Sequence, residues 1–418
     1  MEKIEPKKYK VIVSSGHKNF HMLFTASELY KRGLLLVLFC GAYPKKWERY
    51  FFSKVKNKKL LRFLNRRENI PDEMVCQNRI SEFIDSIGLF LRRFTGQYYI
   101  KFIKLAFDFY GWIVKLKIKN YNSNAVYHYR AGYGQSSIQQ AKKKGMVTIC
   151  DHSIAHPALI NVLIENNGMY PDFPPTEENI GFWEFILDDI HAADYTLVNS
   201  DFVKETFVYM GYDASKIHVI YQGVEDKFFK NLPMRKLKDQ SDRIRFLFAG
   251  GISDRKGIKF LIDAIDNLNS YDFEFHFAGV VQHNMVQDST ILFESSKVFY
   301  HGMLSQSEIA KLMSESDVFV FPSLVEGSAR VVFEAMAAGC AIITTPNAGS
   351  ININDETGLL IMPGDSKAIS NAMMYFINNP QMCYSMGKKA SKLVKEKYTQ
   401  KNYGDALERF YINCLNEK

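Results

Sequence analysis

Cysteine and proline are scarce in this chain: six and 12 residues respectively in 418. Cys40, Cys76, Cys150, Cys340, Cys383 and Cys414 are scattered and form no CxxC pair. Disulfide frameworks and structural zinc modules need tighter spacing, so free thiols in a reducing compartment, the cytoplasm, are expected. Long apolar runs are also missing. The longest, Leu34 to Cys40, falls far short of the ~20 residues that span a bilayer. The opening MEKIEPKKYK lacks the apolar core of a signal peptide, and a soluble or peripheral protein is expected. No disorder-prone tract and no internal repeat stands out, which argues against flexible arrays and solenoids.

What the chain has is length, apolar content and lopsided charge. Its 418 residues exceed one ordinary domain and about two are expected; 47% hydrophobic and 14% aromatic residues furnish large cores. The net charge of +8 conceals an asymmetry, since residues 1–150 carry 29 Lys and Arg against 10 Asp and Glu, while residues 151–418 carry 24 against 35. A basic first half faces something anionic, whether membrane lipid, an acidic polymer or nucleic acid.

The stretch from Asp317 to Ser350, DVFVFPSLVEGSARVVFEAMAAGCAIITTPNAGS, is the richest in chemistry. Val318 to Phe321 is a short β-branched and aromatic run closed by Pro322, the pattern of a buried parallel strand. Ser328 is placed to cap a helix from Ala329 to Ala338, Gly339 is a left-handed stop, and Ala341 to Thr345 starts another strand. In such a βαβ unit ligands bind at the carboxyl ends of strands, where a helix N-terminus attracts phosphate. Glu326 lies in that loop and Glu334 inside the helix. Carboxylates there act as acceptors, which suits ribose or sugar hydroxyls; the plain alternative is a loop charge and a solvated helix residue.

The string Glu-Gly-x-x-x-x-x-x-Glu, preceded by Pro-Ser and followed by Ala-Met-Ala-x-Gly, closely resembles the glutamate-pair signature of the retaining glycosyltransferases of family 4. The resemblance implies the GT-B fold: two Rossmann-like α/β domains with parallel sheets facing each other across a cleft, and a C-terminal helix crossing back to the first domain. It places Glu326 at the donor sugar and Glu334 at the nucleotide ribose. The loop Gly250-Gly251-Ile252-Ser253-Asp254-Arg255-Lys256-Gly257 resembles the family loop in which an arginine follows the first glycine and a lysine comes five residues later. Lys256 matches the lysine. Gly251 stands where the arginine is expected, and Arg255 supplies a guanidinium from another point of the loop. Glycines let a backbone approach phosphate, and paired cations neutralise a diphosphate leaving group. His301-Gly302-Met303 resembles the turn whose backbone reads the nucleobase, with Val280 to His283 beside it. Asn347-Ala348-Gly349-Ser350 resembles the small-residue loop at the donor sugar.

The first half opens with a strand from Tyr9 to Val13, a Ser14-Ser15-Gly16 turn, a helix from Asn19 to Lys31 and a strand from Leu34 to Phe39. The resemblance puts that turn under the donor diphosphate and beside the acceptor, giving a role to Gly16 and with it His17 or His21. From Lys45 to Lys119 the pattern becomes basic and aromatic: Trp47, Phe51 and Val55 in one row, Lys54, Lys58 and Arg62 in another. This is helical amphipathicity, read either as core-facing helices with solvated lysines or as a surface for anionic lipid. No nucleic-acid-binding motif accompanies the charge, so nucleic acid is not expected as a partner. Further strands are read over Asn124–Arg130 and Met146–Cys150. The Gly132-Tyr133-Gly134 triplet lacks the rest of a dinucleotide fingerprint. The second strand delivers Asp151-His152-Ser153-Ile154-Ala155-His156 at its carboxyl end. Family 4 enzymes carry a histidine that touches the donor sugar, and His152 or His156 is the candidate. Asp151, His152 and His156 bring zinc-type donors but no further ligand set, and the family needs no metal or other cofactor, its nucleotide-sugar being a co-substrate.

The expected organisation is an acceptor-binding domain over 1–230 with a helical insert over about 45–119, a linker over 231–243, a nucleotide-sugar domain over 244–400 and the crossover helix over 401–418. The expected activity is retaining hexosyl transfer from a nucleotide-sugar to a glycan or lipid-linked acceptor of polysaccharide or lipopolysaccharide synthesis, in the cytoplasm or on the cytoplasmic face of a membrane. A soluble glycoside synthase and a non-catalytic scaffold of the same fold are the alternatives.

Overall fold

Apolar runs alternating with amphipathic helices fold into two parallel sheets, because a strand buried on both faces needs helices above and below it. The computed structural model describes residues 9–417 apart from 18–20, 53–57, 65, 67, 95–98, 123, 226–227, 230–237, 240, 283–284, 286–294 and 352–353. The first sheet contains β1 (Lys10–Ser14), β2 (Leu35–Cys40), β3 (Val75–Gln77), β4 (Ala125–Arg130), β5 (Val147–His152), β6 (Tyr195–Val198) and β7 (Ile217–Val219). Their order is β3-β2-β1-β4-β5-β6-β7, with every pairing parallel. The second sheet contains β8 (Ile244–Ala249), β9 (Phe273–Ala278), β10 (Val298–Tyr300), β11 (Val318–Phe321), β12 (Ala341–Thr344) and β13 (Gly358–Leu360). It runs β10-β9-β8-β11-β12-β13, again all parallel. In each sheet the direction of winding reverses beside the first strand, at β1/β4 and at β8/β11, and such switch points open crevices at the strand carboxyl ends.

The last helix, Gln400–Asn416, begins at a capping box built by Thr399 and Asn402. Its Tyr403, Leu407, Phe410, Tyr411 and Cys414 are buried among Tyr9, Val11 and Leu29 of the first domain. Burial of each large side chain contributes roughly 1.5–3 kcal/mol, so the helix is held in that core by its own apolar stripe, and Arg32 meets Asp405 at 2.8 Å on its flank. The crossover expected from the sequence is therefore present.

The domains also touch directly. Asn347 Nδ2 donates to the Gly168 carbonyl at 2.7 Å, Ser200 Oγ donates to the Gly327 carbonyl at 2.5 Å, and Gly327 lies so close to the Ser153 carbonyl that a Cβ there would sit 1.9 Å from its oxygen. The loops after β5 and β11 thus abut.

The segment read as helical from Lys45 to Lys119 holds helices Lys46–Phe52, Lys58–Leu64, Arg79–Leu91 and Tyr99–Ile118 and, contrary to the all-helical expectation, the short strand β3. A three-residue strand has no periodicity to detect; pairing with β2 creates it. Val55 and Lys54 of the expected rows lie outside the described residues, as does much of the expected linker. Helix Tyr99–Ile118 buries Ile103, Ala106, Phe107, Tyr110 and Val114, an ordinary core stripe. Helix Arg79–Leu91 is turned the other way: it buries Ser81, Glu82, Asp85 and Gly88 and exposes Ile80, Phe83, Ile87 and Phe90. Of its inward polar groups, Glu82 accepts from the Ala42 N–H at 2.6 Å and pairs with Arg66. Trp47, Tyr50, Phe51, Phe102, Leu105 and Trp112 are exposed as well.

Candidate active site

The loop Gly250–Gly257 leaves β8 at the switch point of the second sheet. Gly257 adopts φ +69° with its Cα against Pro322, where a Cβ would lie 2.0 Å from the carbonyl oxygen; only glycine fits this approach. The turn sets Arg255 and Lys256 beside the loop that follows β11. The backbone carbonyl of Arg255 accepts from the Leu324 N–H at 2.9 Å and from Ser323 Oγ at 3.0 Å, which locks the two loops together. Glu326 is thereby clasped between two cations. Arg255 Nη1 is 2.8 Å from its Oε1, and Lys256 Nζ touches the same oxygen while lying 4.7 Å from the centroid of the Phe321 ring.

Burial pushes the Lys256 ammonium down to about 7, and the neighbouring Arg255 acts in the same direction. The touching Glu326 carboxylate works against that push. Burial also lowers Arg255, though a guanidinium stays charged in any accessible range. An acidic group clasped this way needs a competing anion to be released, and a diphosphate is such an anion.

These groups open on a cavity of about 490 Å³, at the carboxyl ends of β8, β9 and β11 and the start of helix Arg330–Ala337. Its lining brings together Gly250, Gly251, Lys256, Val280, Met303, Glu326, Ser328 and Glu334 from the residues singled out in the sequence, and adds Arg330. Glu334 Oε1 stands 4.0 Å from Arg330 Nη2, whose guanidinium also reaches Glu225 at 3.7 Å. Arg330 was not anticipated. Its place at the first turn of the helix after the Glu-Gly pair was the available signal.

Other expectations are corrected. Ser328 does not cap the helix: the N-cap is Ala329, which has no side-chain cap, and the Ser328 carbonyl accepts from the Arg330 N–H at 2.9 Å. The Ala329 N–H is tied instead to the Ala348 carbonyl at 2.9 Å, so the loop enters the helix from an angle that turns Ser328 to the cavity. Gly16, Gly302, Gly349, His152 and His156 do not figure among the lining residues. Gly16 has φ +74° and packs on the Tyr133 ring, a structural reason for glycine. Gly302 has φ +65° and its carbonyl accepts from the Gly279 N–H at 2.7 Å, beside the cavity-lining Met303. Gly349 lies against the Gly327 carbonyl, directly behind the Glu326 loop.

His156 is the N-cap of helix Pro157–Glu165, its Nδ1 accepting from the Ala158 N–H at 3.3 Å, and its Nε2 faces Glu177 at 3.1 Å. Burial, followed by the nearby His152 and His191, lowers it to about 3. His152 packs edge-on against Phe207; burial, then Arg130, lowers it to about 4, so both rings are neutral. Among the described residues no group of three or more His, Cys, Asp and Glu is arranged to hold a metal ion, and no helix is long and apolar enough to cross a membrane. All six cysteines are free thiols, five of them buried.

Residues 230–393 match the sequence family described as Glycosyl transferases group 1. The chain is 27% identical over 249 residues to the capsular polysaccharide biosynthesis glycosyltransferase CapM of Staphylococcus aureus, covering 56% of this chain and 63% of CapM. It is 24% identical over 237 residues to the D-rhamnosyltransferase WbpZ of Pseudomonas aeruginosa, covering 55% and 62%. It thus spans less than two thirds of the length of these curated relatives. Among solved structures, a glycosyltransferase from Rickettsia africae superposes with a TM-score of 0.64 at 16% identity over 98% of this chain and 100% of its own. Anabaena HepE in complex with UDP superposes with a TM-score of 0.62 at 15% identity over 96% and 98%. Likeness across both domains at such identities speaks for the fold, and the fold is GT-B.

Proposed function

We propose that this chain is a group 1 glycosyltransferase that moves a sugar from a nucleotide-sugar donor to a hydroxyl acceptor with retention of anomeric configuration. The observation that carries the reading is the single cavity in which Lys256, Glu326 and Glu334 meet at a helix N-terminus, within the stretch that matches the family. In this reading the donor diphosphate draws Lys256 and Arg255 away from Glu326. The two cations and the start of helix Arg330–Ala337 stabilise the charge that develops on the leaving diphosphate. The released Glu326 then holds donor sugar hydroxyls and Glu334 the ribose hydroxyls. The departing phosphate takes the acceptor proton on the same face of the sugar, which is what retention requires without a protein nucleophile. Of the two histidines, His152 is assigned to the donor sugar, because His156 is committed to its helix cap. Gly16, Gly302 and Gly349 are assigned backbone roles around the donor, and no metal is required.

The acceptor is proposed to be a lipid-linked glycan of polysaccharide or lipopolysaccharide synthesis, met at the cytoplasmic face of a membrane. What supports this is the outward face of helix Arg79–Leu91, with Ile80, Phe83, Ile87 and Phe90 exposed beside Arg92 and Arg93. Aromatic and aliphatic groups enter the headgroup region while each cation adds roughly 1 kcal/mol near anionic lipid.

A panel of UDP-, GDP- and dTDP-sugars, assayed for hydrolysis and for nucleotide binding by calorimetry, tests the donor half. Hydrolysis by Glu334→Ala equal to wild type would sink the assignment. Binding without any turnover would favour a non-catalytic scaffold.

A further inference from the structure

A second cavity, of about 280 Å³, lies where the domains meet and is lined by His21, Ser27 and Lys31 of helix Met22–Lys31 and its N-cap, with Gln306, Arg330 and Gln400 across from them. It shares Gln306 and Arg330 with the larger cavity, so a group seated in one abuts a group seated in the other. Its lining is predominantly polar, and its volume is at the small end of ligand cavities. That suits the reacting end of an acceptor and not an acyl chain.

His21 is oriented from behind by a buried carboxylate. Its Nε2 lies 2.7 Å from Asp151 Oδ1. Asp151 is the penultimate residue of β5 and is buried, and its other oxygen faces His128 Nε2 at 3.4 Å; His128 Nδ1 in turn bonds the Tyr411 hydroxyl at 2.7 Å. Burial alone would raise the Asp151 carboxyl, but the His21 and His128 rings outweigh it and hold the group well below the usual carboxylate range. An ionised carboxylate can only accept, so Nε2 of His21 carries the hydrogen. The remaining nitrogen, Nδ1, has no protein partner among the described residues. In the neutral ring it is a hydrogen-bond acceptor whose direction is fixed by a buried group.

Resting on the transfer reading above, we propose that His21, oriented by Asp151, is the acceptor-side positioning residue, its ring receiving a hydrogen bond from an acceptor-sugar hydroxyl in the cavity between the domains. A bare structural tie between helix Met22–Lys31 and the sheet would serve folding alone. The substrate role adds a dependence on acceptor concentration that a tie does not have.

The test uses the full chain, the sugar nucleotide found active in the donor panel, and n-octyl β-glycosides as acceptor probes. Loss of one hydrogen bond in His21→Ala raises the acceptor KM about tenfold, with a smaller change in kcat and with UDP, GDP or dTDP affinity, read by calorimetry, as the fold control. His21→Asn, which returns a polar atom near the Nδ1 position, recovers part of the loss. Asp151→Asn, which keeps the shape and removes the orienting charge, shifts KM the same way and carries the comparison should His21→Ala fail to fold. An acceptor KM within twofold of wild type in these variants overturns the inference, as does a fall in nucleotide affinity parallel to the loss of transfer. Wild-type donor hydrolysis with no glycoside product also overturns it, whereas absence of nucleotide binding by the wild type refutes the transfer reading itself.

Discussion

Replacement of Gly327 by alanine tests how the two domains must sit for the site to work. A Cβ at Gly327 would lie 1.9 Å from the Ser153 oxygen, 2.7 Å from its carbon and 3.1 Å from Asn199 Nδ2, and real Cβ contacts do not fall below 3.0 Å. The obstruction is backbone, so no rotamer change relieves it, and the loops must part by more than an ångström. Glu326 is the preceding residue, and the carbonyl of Gly327 itself is held by Ser200, so the displacement reaches the carboxylate that meets Lys256 and Arg255. A misplacement of about 1 Å costs roughly 10²-fold in rate, and forcing an extra methyl into a packed contact costs about 1–3 kcal/mol. The expected result is donor hydrolysis down about 100-fold with a melting temperature lower by about 3–9 °C, at about 3 °C per kcal/mol for domains of this size. Hydrolysis within threefold of wild type together with an unchanged melting temperature would refute the reasoning, because the contact would then be absent from the working enzyme.

Gly251→Ala is the matched control: nothing lies within 4 Å of its added methyl, and a melting temperature within about 1 °C of wild type is expected. Lys256→Ala removes the cation that the proposed mechanism sets against the leaving diphosphate and is expected to lower kcat about 10²–10³-fold; a loss below fivefold in steady-state hydrolysis would contradict that role. Asp151 has a folded pKa held below its unfolded value, so its ionised form adds stability above about pH 4 that is lost on acidification. Urea midpoints followed downward from pH 6 should therefore fall more steeply for wild type than for Asp151→Asn, and parallel curves would argue against the His21–Asp151–His128 arrangement. Replacing exposed Phe83 and Phe90 by serine should weaken co-sedimentation with anionic vesicles at low salt while leaving the melting temperature nearly unchanged; equal binding would remove that face from the membrane reading.

Much of the second domain could be read in one dimension. Strands β11 and β12 are short, apolar and separated by a helix with a glycine stop, so this βαβ unit can be read from the local pattern. The Glu326–Glu334 pair and the Arg255–Lys256 loop are likewise visible because each is a local string. Elsewhere local information ran out. The strand β3 is too short to carry a period and exists only because β2 offers an edge. The hydrophobic pattern of Arg79–Leu91 announces two faces without saying which points inward, and its polar face turned out to be the buried one because Glu82 finds Arg66 and the Ala42 N–H there. Ser328 looked like a cap until the tie between Ala329 and Ala348 set the entry angle of its helix.

The sequence by itself determined the α/β pattern and the acidic and cationic strings after β11 and β8, because these depend on residues within a few positions of one another. Only the tertiary structure decided that Lys256 and Arg255 clasp Glu326, that His156 is spent on a helix cap, and that His21 meets Asp151 from 130 positions away. Contacts of that kind follow from the order in which parallel strands assemble. β1 lies beside β4, and β4 beside β5, so side chains remote in the chain arrive at one end of the sheet, and no local pattern encodes that arrival.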